Sequence, residues 1–181
     1  MRFLKGTWEV TKIVGTVLVC AIIIRSFIVQ PFVVEGSSME PNYHNNEYLL
    51  IEKLSFHFRN PQRGEVLIFR YPNDTRVNYI KRVIGLPGET VKIENGKVYV
   101  NNVQLDESYL PSNQQTLVES SPEVPYVVTL RDDQYFMMGD NRDHSSDSRS
   151  GWLLSKKYII GKSVLILYKS SSSASASYST Y

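Results

Sequence analysis

The run Ile13–Val29, "IVGTVLVCAIIIRSFIV", limits the fold of this chain more than any other feature, because it holds a single charge, Arg25, in 17 residues. A helix that crosses a bilayer needs about 20 apolar residues, within a working range of about 17 to 25. Thr11, Lys12 and Gln30 extend the run to that length, and Pro31 closes it, since proline has no N–H for the helical ladder. Residues 13–30 are therefore read as one transmembrane anchor in contact with the lipid bilayer. Arg25 would be costly at the bilayer centre, but six positions before Pro31 its side chain can snorkel to the headgroups. Trp8 suits the inner interface. Arg2, Lys5 and Lys12 precede the run, whereas no Lys or Arg falls between Pro31 and Glu52. That asymmetry puts the N-terminus in the cytoplasm and the rest outside. A cleaved secretory leader is the rival reading. The run is long for one, carries an internal Arg, and is followed by "QPFVVEGSS" with no small-x-small site.

Beyond residue 30 there are 16 basic and 17 acidic residues, with no dense Lys/Arg stripe, so no nucleic-acid partner is expected. Cys20 is the sole cysteine and lies inside the apolar run, which excludes an intrachain disulfide and any CxxC metal or redox site. After Pro31 the pattern changes to short β-branched and aromatic runs at 47–53, 65–71, 77–85, 90–94, 97–101, 126–130, 134–139 and 163–169. Asn95-Gly96 between two of them is the signature of a two-residue hairpin. No helical periodicity follows Pro31, apart from a short turn in "LLSKKYI", and residues 103–125 form a long polar excursion. The organisation expected is a cytoplasmic N-terminus (1–12), the anchor (13–30), a β-rich extracytoplasmic domain (31–169) and a Ser-rich disordered tail (170–181).

Three stretches can carry chemistry. "EGSSMEPNY", residues 35–43, places two hydroxyls just past the anchor. By itself it is either a polar loop or a nucleophile held at the membrane surface. In "VNYIKRVIGLPGE" a period of two puts Val77, Tyr79, Lys81 and Val83 on one face and Asn78, Ile80, Arg82 and Ile84 on the other. Lys81 is thus the single charge on an otherwise apolar face. Desolvation disfavours an ammonium, and a neutral amine can serve as a general base. The other reading is a lysine that snorkels from a strand edge. The third stretch, "GDNRDHSSDSRSGW" (139–152), has part of the spacing of a calcium loop. Asp143, Ser145 and Asp147 are spaced like the start of an EF-hand loop, but Ser148 stands where Gly is required and Leu154 where the bidentate Glu is required. No metal is expected there. A self-bonded loop fits better, with Asp147 paired to Arg149 and Ser145 offering its hydroxyl to a nearby amine. His44, His57 and His144 have no accompanying nucleophile motif such as G-x-S-x-G and are read as ordinary surface or loop histidines.

In order, the N-terminal anchor, "GSSMEP", "RGEVLIFRYP", "YIKRVIGLPGE" and "GDNRDHSSDSR" resemble type I signal peptidases, membrane-bound serine proteases with a Ser–Lys dyad, over residues 8–168. The match is similar to the small, single-anchor Gram-positive members. The resemblance implies a mainly β fold, antiparallel sheets in a partly open barrel preceded by one transmembrane helix, in the plasma membrane. It implies Ser38 as nucleophile, Lys81 as general base, Ser145 to orient the amine, and Asp147 with Arg149 as a supporting pair. Some members place a Ser two residues before the nucleophile to help bind the oxyanion; here Gly36 stands there, so the hole would lean on the Ser38 backbone N–H. The implied substrates are exported preproteins cut after small-x-small signal-peptide sites, with Phe32, Val34, Met39 and Ile80 as candidates to line the shallow pockets, and no cofactor. Self-cleaving SOS repressors share the dyad but carry a DNA-binding domain in place of an anchor. A non-catalytic assembly chaperone or binding module for surface structures such as pili is the alternative from a different class.

Overall fold

The computed structural model describes residues 2–23, 29–118 and 125–168; Arg25 and the Ser-rich tail lie outside these. The first element, α1 (Arg2–Ile23), begins well before Ile13. Its first half carries Arg2, Lys5, Glu9 and Lys12, and Lys12 pairs with Glu9 at 2.7 Å. The uncharged part, Ile13–Ile23, has a length of about 16 Å at the helical rise, against about 30 Å of bilayer hydrocarbon. No helix among the described residues is long and apolar enough to cross a membrane. Trp8, Val10, Ile13, Val14, Val17, Leu18 and Val19 are nevertheless all more than half exposed.

Eleven strands follow: β1 (Val29–Val33), β2 (Tyr48–Glu52), β3 (Val66–Tyr71), β4 (Asp74–Gly85), β5 (Thr90–Glu94), β6 (Lys97–Val100), β7 (Val103–Gln104), β8 (Tyr126–Thr129), β9 (Gln134–Met138), β10 (Leu154–Ser155) and β11 (Ile159–Tyr168), with a one-turn helix α2 (Ser55–Phe58) after β2. They form two antiparallel sheets, one of seven strands in the order β1-β2-β11-β3-β4-β9-β10 and one of four in the order β7-β6-β5-β8. β1 and β10 are both edges, so the large sheet does not close into a barrel. The expected runs are all strands. Val29 and Gln30, which hydropathy assigned to the anchor, pair in β1 with Glu52 and Ile51. Pro31 lies within that strand and is tolerated because β1 is an edge, where one side needs no donors.

The Asn95-Gly96 hairpin forms as expected, both residues at positive φ (52° and 74°), the requirement of a type I′ turn. Residues in the polar excursion pack more tightly than their composition suggests. Thr116 and Val118 are buried, and the Thr116 N–H donates to the Gly96 carbonyl at 2.9 Å. Three apolar clusters hold the sheets. One packs Leu67, Phe69, Val83, Met137 and Trp152, a second Ile84, Val91, Ile93, Phe136 and Met138, and a third Val34, Met39, Leu49, Val66 and Ile80. Alternate residues of β4 therefore enter different clusters, Val83 the first and Ile80 and Ile84 the others. The half of β4 from Ile80 onward, buried on both faces, is what positions the site.

Candidate active site

Ser38 opens a tight turn between β1 and β2, in which Glu40 N–H donates to the Ser37 carbonyl at 3.1 Å and Tyr43 N–H to the Met39 carbonyl at 3.0 Å. The Met39 side chain, fully buried in the third cluster, pins that turn to the sheet. On β4, paired with β3 through Leu67↔Lys81, the amine of Lys81 donates to Ser38 Oγ at 2.6 Å and to the Ile80 carbonyl at 3.0 Å. Lys81 is 4% exposed and its Nζ lies 5.2 Å from the centre of the Tyr79 ring. Burial drives the amine down from its ordinary 10.5 to about 8; the Asp147 and Asp140 carboxylates pull it back up, and Arg149 pushes it down. Of the apolar face read from the alternation, Lys81 and Val83 are buried and Tyr79 partly so, whereas Val77 is 43% exposed, so desolvation is confined to the end of the face that holds the amine.

The loop after β9 clamps the Ser38 turn and Arg82, the neighbour of Lys81. Asn141 N–H donates to the Ser38 carbonyl and its side-chain amide to the Ser37 carbonyl, both at 3.1 Å. Asp140, fully buried, receives a two-pronged bond from Arg82 (2.8 and 2.6 Å) and a further one from Asn42 at 2.8 Å. Arg82 also stacks over Tyr109 at 4.2 Å. Asp147, equally buried, takes Arg149 Nε and Nη2 at 2.8 Å each and the Gly139 N–H at 3.1 Å, so the expected Asp147–Arg149 pair is present and braces the start of the loop. Ser145 Oγ is buried and makes no hydrogen bond among the described residues. It packs against Gly139, where an added Cβ would collide with both Ser145 Oγ and the Ser38 carbonyl oxygen. Ser145 thus adjoins the Ser38 turn, while the amine of Lys81 spends its contacts on Ser38 and Ile80.

Ser38 and Lys81 line an open cleft of about 760 Å³ together with Phe32, Ile80, Tyr79 and Gly36. Gly36 sits at φ +88° with open space where a Cβ would go, and its N–H donates to Asn45 Oδ1 at 2.9 Å. Val34 and Met39, expected among the lining residues, are instead 1% and 0% exposed in the third cluster beneath the cleft, because their apolar side chains find the core before they find solvent. His144, read as an ordinary loop residue, borders the cleft. Asn141, Gly139 and Asp140 were not singled out in the sequence; their density in one polar loop beside a glycine was the available signal. β9 covers β4 from Arg82 onward, and among the described residues no strand pairs with that edge of β4 before it. The strand edge facing the cleft is open.

A hydroxyl touching a desolvated amine in a peptide-sized cleft beside a free strand edge belongs to the chemistry of hydrolases. Comparison with known proteins says which kind. The family described as "Signal peptidase, peptidase S26" matches residues 7–168. Signal peptidase I S of Bacillus subtilis (strain 168) is 37% identical over 169 residues, covering 91% of this chain and 90% of the relative. Probable signal peptidase I-2 of Synechocystis sp. is 36% identical over 165 residues, covering 87% and 72%. A solved signal peptidase I from Enterococcus faecalis V583 is 28% identical and covers 57% of this chain and 97% of that one, with a TM-score of 0.48. The chain belongs to the signal peptidase family and is a serine endopeptidase that cleaves signal peptides.

Proposed function

We propose that the chain removes signal peptides from exported preproteins after small-x-small sites, with Ser38 as nucleophile and Lys81 as general base. The observation that supports this most is the 2.6 Å contact between Ser38 Oγ and a lysine amine lowered to about 8 by burial. In its neutral form the amine accepts the Ser38 proton as Oγ attacks the scissile carbonyl, then hands that proton to the leaving amine. Water, activated by the same amine, hydrolyses the acyl-enzyme. The Ser38 N–H stabilises the oxyanion, with Gly36 leaving room beside it. Ser145 packs against Gly139 beside the Ser38 turn, and Asp147 with Arg149 fixes the loop that carries it. The substrate lies extended along the open edge of β4, and Phe32 and Ile80 limit side-chain size next to the cut.

The same reading makes the apolar run from Ile13 a membrane anchor, N-terminus inside and the β domain outside, with β1 starting where the chain leaves the bilayer. The exposed apolar side chains of α1 support it, because nothing among the described residues covers them. The test is to mix the purified protein with an exported precursor and locate the cut by mass spectrometry. A single cut preceded by small residues, lost in Ser38→Ala and in Lys81→Ala variants that still fold, is expected. Wild-type cleavage by either variant refutes the dyad.

A further inference from the structure

Away from the catalytic cleft, a second cavity of about 420 Å³ opens where three strand ends meet, and its lining includes Lys53, His57, Arg70, Lys156, Lys157 and Tyr158. Among the described residues no Asp or Glu lines it. Of the carboxylates near Lys53 and Arg70 in sequence, Glu65 takes Arg59 at 2.5 Å and Lys162 at 3.7 Å, Asp74 takes Arg76 at 2.8 Å, and Glu52 accepts from Ser55 N–H at 2.6 Å through Oε1 while its buried Oε2 has no hydrogen-bond partner among the described residues. Lys156 donates to neutral acceptors, Asn60 Oδ1 at 2.8 Å and the Arg59 carbonyl at 3.3 Å, so its charge is held in place without being neutralised. Arg70 and Lys157 make no ion pair among the described residues. Leu54 follows Lys53 and Phe58 follows His57 in the chain, and Phe58 is 82% exposed at the end of α2.

Register fixes where this basic pocket sits. Glu52, the residue before Lys53, pairs with Val29 of β1 on one side and with Lys162 of β11 on the other. Ile159 at the start of β11 pairs with Phe69, the residue before Arg70. The pocket is thus built at the end of the sheet where β1 begins, and Val29 follows the end of α1 by six peptide links, a reach of at most about 21 Å. A cationic hollow close to the point of membrane exit, with an exposed aromatic one residue beyond its lining His57, complements a phosphate-bearing lipid and not a neutral one.

We propose that this pocket binds the headgroup of an anionic phospholipid, with Phe58 entering the acyl boundary, so that the β domain is docked on the bilayer as well as tethered to it. The proposal rests on the membrane reading above. Each cation near an anionic surface strengthens association about fivefold, so neutralising three weakens docking about 10²-fold.

The test uses the full chain carrying Cys20→Ala and Phe58→Cys, labelled at position 58 with an environment-sensitive dye. It is reconstituted in phosphatidylcholine vesicles with or without phosphatidylglycerol. A blue shift that requires phosphatidylglycerol, reverses at high salt and disappears in Arg70→Gln/Lys156→Gln/Lys157→Gln is expected, while that triple variant still cuts a precursor in detergent at the parent rate. The same dye spectrum in both lipid mixtures, or an undiminished shift in the triple variant, overturns the proposal. Reversal by millimolar inorganic phosphate at constant ionic strength would assign the pocket to free phosphate and overturn the lipid assignment. Failure of the chain to float with pure phosphatidylcholine vesicles refutes the anchor separately; the dye comparison, repeated with vesicles added to the chain, still decides the pocket.

Discussion

Replacing Lys81 by Met should abolish cleavage and make the protein more stable. The amine falls from 10.5 when unfolded to about 8 when folded, so holding it protonated in the fold costs about 3 kcal/mol. The sign follows from proton binding. Below pH 8 both states are protonated and the cost is present in full. Between 8 and 10.5 the unfolded chain binds a proton that the folded one has shed, so wild-type stability rises by about 1.4 kcal/mol per pH unit. Above 10.5 both are neutral and the cost is gone. Methionine fills the space without a charge, but forfeits the bonds to Ser38 Oγ and the Ile80 carbonyl, each worth about 1 kcal/mol, and regains part of that by apolar packing. A net gain of about 2 kcal/mol at pH 7 is expected, roughly 4–8 °C in melting temperature for a chain of this size. The assay is denaturant unfolding in detergent at pH 7, 9 and 11, read by Trp152, which packs 5.9 Å from Phe69 and 5.5 Å from Tyr71. Every other group titrates alike in the two proteins, so their difference isolates position 81. A gap that shifts by about 3 kcal/mol toward the wild type as pH rises, so that the variant becomes the less stable by about 1 kcal/mol at pH 11, supports the argument; a gap independent of pH, or a variant less stable at pH 7, refutes it.

Cleavage by the wild type should increase about tenfold per unit below pH 8 and level off above it, since the neutral amine is the active form; a flat profile from pH 6 to 9 would dismiss Lys81 as base. Gly139→Ala should lower the cleavage rate about 10²-fold, because a Cβ there pushes on the Ser38 carbonyl and displaces the nucleophile, and activity within threefold of wild type would count against that contact. Arg82→Met strands the Asp140 carboxylate in the interior and should cost about 3–5 kcal/mol, measured by the same unfolding assay.

Much of the β domain was legible because β-branched and aromatic runs separated by Gly, Asn and Pro leave little choice, as the Asn95-Gly96 hairpin shows. β1 was hidden for a physical reason. Val29 and Gln30 are apolar or neutral enough to prolong the preceding run, and Pro31 looks like a terminator unless one knows that the strand will be an edge. β7 and β10, two residues each, carry no pattern to detect. At the site, alternation makes Lys81 conspicuous as a charge among Val77, Tyr79 and Val83, but it leaves a snorkelling lysine equally open, and the family resemblance is what singles it out as a base. The roles of Asn141 and Asp140 could not, because their partners Ser38, Ser37, Asn42 and Arg82 lie tens of residues away along the chain. Val34 and Met39 were placed at the cleft by nearness in sequence to Ser38, whereas the side-chain directions of a pinned turn send them into the core.

Lys81 and Arg82 are adjacent, yet one meets the hydroxyl and the other grips Asp140 from the opposite side of the same strand. Their division of labour is set by parity alone. Were β4 to shift by a single position against β3, the guanidinium, which never gives up its proton, would be delivered to Ser38, and the one cation able to become neutral would be tied to a carboxylate. The ladder between Leu67 and Val66 on one strand and Lys81 and Arg82 on the next thus decides which nitrogen can ever act as a base, and a sheet mispaired by one step would be folded, charged and inert.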